Sequence, residues 1–291
     1  MGLLRIRYER AAALRTAFLT LAAAVVCRRL LPCLESEVLT VQRSAERPTA
    51  ATVCLVHGGF LGAWVWADVV AALEAQGIRA VALDLPSVAA DGGGDVGDLY
   101  ADAEAVRRLL DDAGPPVLLC GHSAGGAVIT EAAAGPHPAV RRLVYVAAAI
   151  PDAGDSLATL MADAASGTEE RPDAGAEPVV MRADGLGELR AEQAQAALFH
   201  DCDAPRANAA LERLTPMNMA GGTQPLTGAA WRELPATLVR GTLDRMPEAI
   251  APAFFERDPE VVEIPAGHCP NWSRPELIAE ILASQAAKLS A

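Results

Sequence analysis

Pro116-Val117-Leu118-Leu119-Cys120 runs without a polar break into Gly121-His122-Ser123-Ala124-Gly125-Gly126. An apolar run of that kind reads as a buried strand. The residues after it fit G-x-S-x-G, the sharp turn that lifts a nucleophilic serine off a strand end and onto a helix start. Glycines suit that turn because the backbone is too crowded there for side chains. This strand, turn and following helix constrain the fold more than any other stretch.

The surrounding chain supplies matching partners. Thr52–Val56, Arg79–Leu83, Arg142–Ala147, Ala236–Arg240 and Glu260–Ile264 read as further strands, and Val38–Gln42 as an earlier one. Between them the spacing predicts helices over Trp64–Gln76, stopped by Gly77, and over Asp98–Asp112, Ala124–Ala134 and Pro275–Leu289. Ser87–Gly97 is rich in Gly and Asp and reads as a loop. Strands alternating with helices imply an α/β fold, a mostly parallel, doubly wound sheet with helices on both faces. The rhythm breaks between Pro151 and Trp231. Glu188–Phe199 and Pro205–Arg213 read as helices, with no convincing buried strand, so residues 152–231 are expected to form an inserted helical cap.

Length and charge narrow the function. The 291 residues suit one large domain, here 37–291, behind an N-terminal extension at 1–36. A formal net charge of −13 argues against a nucleic-acid partner, since phosphate binding needs clustered Lys and Arg. The six cysteines show no CxxC pair and no metal-type spacing, so no metal and no cofactor are expected. Cys54 and Cys120 fall in predicted strands, where a thiol acts as a small hydrophobe. A reduced, cytoplasmic chain follows. In the extension, Arg5, Arg7 and Arg10 precede the apolar run Thr16–Cys27, which is too short to span a bilayer but long enough for a signal-peptide core. Export, or membrane association, is the alternative if that segment is genuine.

In an open parallel sheet, ligands gather at the carboxyl ends of the strands. Ser123, Asp244 and His268 each follow a predicted strand there. A serine hydroxyl needs an imidazole to take its proton and a carboxylate to hold that imidazole. Of the five histidines, His268 alone follows a late strand. His57 is expected to brace a loop, His122 to point away from its neighbour Ser123, and His137 and His200 to lie in a loop and in the cap. Asp244 is the expected acid, with Asp152 as the alternative; Asp84 reads as a turn or cap residue. The Ala124 N–H, at a helix start, and the Gly59 N–H, in His57-Gly58-Gly59-Phe60, are the expected oxyanion donors, with Phe60 the near alternative to Gly59.

With the order Ser, Asp, His in place, the chain resembles the α/β-hydrolase superfamily over residues 37–289. His57-Gly58-Gly59-Phe60-Leu61-Gly62-Ala63-Trp64 and Ala82-Leu83-Asp84-Leu85-Pro86 are similar to the branch of plant methylesterases, hydroxynitrile lyases and bacterial small-ester hydrolases. The resemblance implies a Ser123–Asp244–His268 triad with Gly59 and Ala124 as oxyanion donors. It departs from the lyases at two positions, Gly58 and Cys269, where they carry threonine and lysine.

The expected activity is hydrolysis of small, uncharged carboxylic esters through an acyl-enzyme. A non-hydrolytic lyase or cyclase on the same scaffold is the alternative, and a silent binding protein a third. Leu157, Leu160, Met161, Leu198, Phe199, Leu214, Met217 and Met219 of the cap are candidates for an apolar pocket or for plain cap packing. Trp64 and Trp66 read as helix core.

Overall fold

The computed structural model describes residues 51–88, 96–166 and 178–289. The extension at 1–36, the strand expected at Val38–Gln42, Cys27 and Cys33 lie outside them. Among the described residues the main element order is β1 (Thr52–Val56), α1 (Ala67–Ala75), β2 (Ala80–Leu83), α2 (Leu99–Ala113), β3 (Val117–His122), α3 (Gly125–Ala132) and β4 (Val140–Val146). An insertion follows, with α4 (Leu157–Ser166), β5 (Val179–Met181), β6 (Leu186–Leu189), α5 (Ala191–Ala197), α6 (Ala204–Leu211) and β7 (Met217–Asn218). The chain then returns as β8 (Ala236–Gly241), α7 (Pro252–Phe255), β9 (Glu260–Ile264), α8 (Pro270–Ser273) and α9 (Pro275–Ala287).

Six strands form one parallel sheet in the order β2-β1-β3-β4-β8-β9. Period-two side-chain alternation sorts their residues onto two cores. Val53, Leu55, Leu118, Cys120, Val144 and Val146 face one side, where Trp66, Leu73, Ile278 and Leu282 cover them. Cys54, Val56, Val117, Leu119, Leu143 and Tyr145 face the other, under Val106, Leu110, Ile129, Trp231 and Phe254. Because both faces need apolar cover in the middle of the sheet, β1 and the start of β3 read as continuous hydrophobic runs rather than alternating ones. Cys54 and Cys120 are fully buried free thiols, as expected from their strand positions.

The strand order also creates the site. The sheet grows from β1 to β2 on one side, then crosses to β3 on the other. The loops leaving β1 and β3 therefore diverge at adjacent strand ends, a topological switch point where a crevice opens.

The insertion differs from expectation in one respect. Its helices are present, but it also holds a three-stranded antiparallel sheet, β5-β6-β7. The β5–β6 hairpin turns at Asp184-Gly185, with Gly185 at φ +85°. Asp-Gly is a strong hairpin signal, but these strands are short and largely uncovered, and the three-residue apolar run Val179–Met181 is too brief to mark a buried strand. The predicted helix start at Glu188 falls inside β6. No described helix is long and apolar enough to cross a membrane.

One buried acid ties the crevice together. Asp98 caps α2 by accepting from the Tyr100 and Ala101 N–H groups. One turn on, Asp102 is 3% exposed, and its Oδ1 accepts the Ser87 N–H at 2.8 Å. Burial pushes the Asp102 carboxyl up to about 6. The native state thus binds a proton that the unfolded chain has released between the ordinary carboxylate range and about pH 6. Stability from this group is present below that range and lost as pH rises through about 6. Asp102→Asn, which keeps an acceptor for Ser87, should melt roughly 2–6 °C above the native protein at pH 8. The gain should vanish at pH 4, as thermal melts at the two pH values would show.

Candidate active site

The turn after β3 has the strain that the motif predicts. Ser123 sits at φ +52°, a left-handed conformation that a non-glycine residue adopts at a cost of about 1–3 kcal/mol. Its carbonyl accepts the Gly126 and Ala149 N–H groups at 3.0 Å each, and its own N–H reaches the Val146 carbonyl at 3.3 Å. Neighbouring glycines permit this packing. A Cβ on Gly121 would lie 2.6 Å from the Gly125 carbonyl oxygen, and one on Gly125 would overlap the His57 carbonyl oxygen. The turn is thereby pressed against the end of β1, which brings the His57–Phe60 loop beside the serine.

Three side chains distant in sequence converge there. The Ser123 Oγ lies 2.9 Å from His268 Nε2, and His268 Nδ1 lies 2.9 Å from Asp244 Oδ2. With the acid ionised, Nδ1–H donates to it, which leaves Nε2 free to accept the serine proton. Asp244 Oδ1 accepts the Met246 N–H at 2.8 Å. Burial pushes the Asp244 carboxyl up, but the hydrogen bond and charge interaction with His268, helped by the Met246 N–H, hold it below its ordinary value. His268 is 5% exposed, so the pair is screened from bulk water.

The other sequence candidates take different places. Asp152 forms an ion pair with Arg232, which accounts for its carboxylate. Asp84 accepts the Ala63 N–H at 2.6 Å, a loop-bracing role. His57 is fully buried; Nδ1–H donates to the Gly58 carbonyl at 2.8 Å, and Nε2 accepts the Leu85 N–H at 3.0 Å. Burial lowers its pKa, and it stays a neutral brace. His122 donates its Nε2–H to the His268 carbonyl at 2.8 Å. Burial and then the nearby His268 ring lower it to about 3. His137 contacts Asp111, and His200 lies in the insertion on the Leu243 carbonyl.

Gly59, Phe60 and Ala124 all line the cavity above the serine. A Cβ on Gly59 would lie 3.9 Å from the Ala124 Cβ, so the two backbones flank one small volume. Among the described residues, no hydrogen-bond partner is seen for the N–H of Gly59, Phe60 or Ala124.

The cavity measures about 460 Å³, within the range of small-molecule sites. Its floor carries Ser123, His268 and Asp244. Of the cap residues singled out from sequence, Leu157, Met161, Leu198, Met217 and Met219 line it. Leu160, Phe199 and Leu214 instead pack into hydrophobic clusters, as does Trp66, while Trp64 stacks edge-on against Trp272. Sequence reading missed Asp102, Gln193, Arg240, Met246 and Glu248 as lining residues. They come from three segments far apart in the chain, α2, α5 and the end of β8 with the loop after it, and no local spacing signals that they meet. Among the described residues, no group of three or more His, Cys, Asp or Glu is arranged to hold a metal ion.

Comparison with known proteins agrees with this architecture. The profile of the Alpha/beta hydrolase family matches residues 55–281. The chain is 27% identical over 256 residues to the probable hydrolase R7 of Phoma, covering 82% of this chain and 99% of that protein. It is 38% identical over 120 residues to a carbendazim hydrolyzing esterase of Nocardioides, covering 38% of this chain and 47% of that one. A pyrethroid hydrolase from Sphingobium faniae superposes with a TM-score of 0.65 at 24% identity, over 81% of this chain and 97% of the other.

Gly125→Ala tests the packing of the turn. The added methyl has only backbone to displace, so thermal melting should fall by about 5 °C or more, and Ser123 should lose reactivity toward a fluorophosphonate. A variant that melts and labels like the native protein would contradict the packing described. With its parallel sheet, its strained serine turn and a profile match across most of its length, the chain belongs to the alpha/beta hydrolase family.

Proposed function

We propose that the protein hydrolyses uncharged carboxylic esters through an acyl-enzyme on Ser123. The observation that carries this reading is the unbroken Ser123–His268–Asp244 hydrogen-bonded chain on the floor of an apolar cavity. In the first half-reaction, Ser123 Oγ attacks the ester carbonyl carbon while His268 Nε2 takes its proton. The carbonyl oxygen becomes an oxyanion, received by the Gly59 and Ala124 N–H groups. Collapse expels the alcohol, which leaves with the proton from His268. In the second half, water gives a proton to His268 as its oxygen attacks the acyl carbon, and Ser123 leaves as the free hydroxyl. Asp244 stays ionised throughout and stabilises the imidazolium that forms twice per turnover.

Substrate preference follows from the lining. Met161, Met217, Met219 and Met246, four of the chain's six methionines, border the cavity. Unbranched thioethers repack around different shapes, so acyl groups of several sizes fit. The charged groups on the wall offer no clamp for an anion, because Arg240 is paired with Glu248 and the others are acids. The names of the relatives, a hydrolase and an esterase, point the same way. A lyase reading finds less support. Cys269 is fully buried, and burial drives its thiol well above the usual range, so it offers no cation there. At Gly58 a Cβ would lie 2.8 Å from the Ser123 Cβ, which leaves no room for a side chain without rearrangement.

p-Nitrophenyl butyrate should be turned over with an initial burst of one equivalent of nitrophenol. Ser123→Ala should abolish the burst and fluorophosphonate labelling, and Asp244→Asn should lower kcat by about 10³–10⁴-fold. Turnover that survives in Ser123→Ala would exclude the acyl-enzyme. In a matched pair of nitrophenyl esters, the one with an anionic acyl chain should show kcat/KM lower by roughly tenfold or more. Equal values would show that charge is not sensed.

A further inference from the structure

The insertion and the two catalytic loops meet at a cluster of polar contacts that the proposed chemistry does not use. Ala197, at the end of α5, and Leu198 line the cavity, and the chain then continues as Phe199-His200-Asp201. Phe199 is fully buried and anchors this segment in the core beneath it. His200 Nε2–H donates to the Leu243 carbonyl at 2.9 Å, one residue before Asp244. Asp201 Oδ2 accepts the Gly267 N–H at 2.8 Å, one residue before His268, and the Ser273 hydroxyl at 2.8 Å. Two adjacent residues of the insertion thus grip the backbone immediately ahead of the acid and of the base.

The packing is as close as the hydrogen bonding. A Cβ on Gly267 would lie 2.6 Å from His200 Cε1 and 2.7 Å from Asp201 Oδ1, so the dipeptide rests directly on the base loop. His122 in turn donates to the His268 carbonyl. The base loop is thus held at the Gly267 N–H by Asp201 and at the His268 carbonyl by His122. The grip also carries a cost that a plain staple would avoid. His200 Nδ1 and Asp201 Oδ1 are buried with no hydrogen-bond partner among the described residues. An unsatisfied buried polar atom destabilises a fold and calls for a reason.

We propose that His200 and Asp201 are positioning residues, which hold the Leu243–Asp244 and Gly267–His268 backbones so that acid, base and Ser123 stay in line. Neither touches a reacting atom. Because the same segment lines the cavity two to four residues earlier, the seating of the insertion is linked mechanically to the alignment of the triad. This inference rests on the Ser123 hydrolase reading above.

The test compares Asp201→Ala, Asp201→Asn, His200→Ala and Ser273→Ala with the native protein. It reads nitrophenyl butyrate kinetics, melting temperature and the downfield proton resonance of the His268–Asp244 hydrogen bond. Asp201→Ala should lower kcat by roughly ten- to a hundredfold while KM stays within about twofold, with the imidazole resonance weakened or lost. In Asp201→Asn the amide oxygen can occupy the Oδ2 position and accept both hydrogen bonds, so most of kcat should return. Ser273→Ala, which leaves the Gly267 contact in place, should stay within about twofold of the native kcat.

Asp201→Ala with native kcat and only a lower melting temperature would reduce the contact to a staple and overturn the proposal. So would Asp201→Asn as impaired as Asp201→Ala. If Asp201→Ala does not fold, His200→Ala decides: kcat lowered by roughly three- to tenfold supports the proposal, and an unchanged value overturns it. If the native protein neither hydrolyses esters nor labels, the hydrolase reading fails. The imidazole resonance of the variants would still report whether His200 and Asp201 order His268.

Discussion

The structure depends on one crowded turn. Ser123 is held in a left-handed conformation, which projects its side chain away from the sheet, and the fold must stabilise that strain. It does so with backbone hydrogen bonds from Gly126 and Ala149 and by pressing α3 onto the end of β1. The same compression brings the His57–Phe60 loop within reach of the serine, so one set of close contacts orients Ser123 and furnishes the wall opposite it. The buried neutral His57 stiffens that wall by bridging the Gly58 carbonyl and the Leu85 N–H.

Around this turn the sheet acts as a rigid frame. Asp244 and His268 follow β8 and β9, the last two strands at one edge, while Ser123 follows β3 nearer the middle. Backbone contacts span the gap between those strand ends. The Leu243 N–H reaches the Ala266 carbonyl, and the buried His122 ring reaches the His268 carbonyl. Both are short, and neither titrates near neutral pH, since a backbone amide carries no proton to lose there and burial keeps His122 uncharged. The backbones of the Asp244 and His268 loops are therefore set by contacts that do not change with the protonation of His268.

The insertion supplies what the frame lacks. Its methionines and leucines close an apolar cavity over the polar floor, and its hairpin and helices are tied down locally by Asx-type contacts such as Asp184 to the Leu186 N–H and Asp203 to the Arg206 N–H. Apolar cover lowers the effective dielectric around Ser123, which strengthens the electrostatics between Asp244 and His268.

Sequence alone determined the alternation of strands and helices, because both sheet faces are buried and the strands must then be nearly all apolar. It also determined the serine turn, since few residues other than glycine fit beside it, and the placement of Asp244 and His268 after strands whose ends lie on the same rim of the sheet as Ser123. It did not disclose the small sheet of the insertion, whose strands are too short and too exposed to carry a hydrophobic pattern. Nor did it disclose that His200 and Asp201 lie against the acid and base loops, or that Asp102 and Met246 border the cavity. Only the tertiary structure decided those, because they are contacts between segments far apart in the chain. Local pattern reports how a residue meets its near neighbours in sequence, whereas crossover topology dictates which distant residue it will touch.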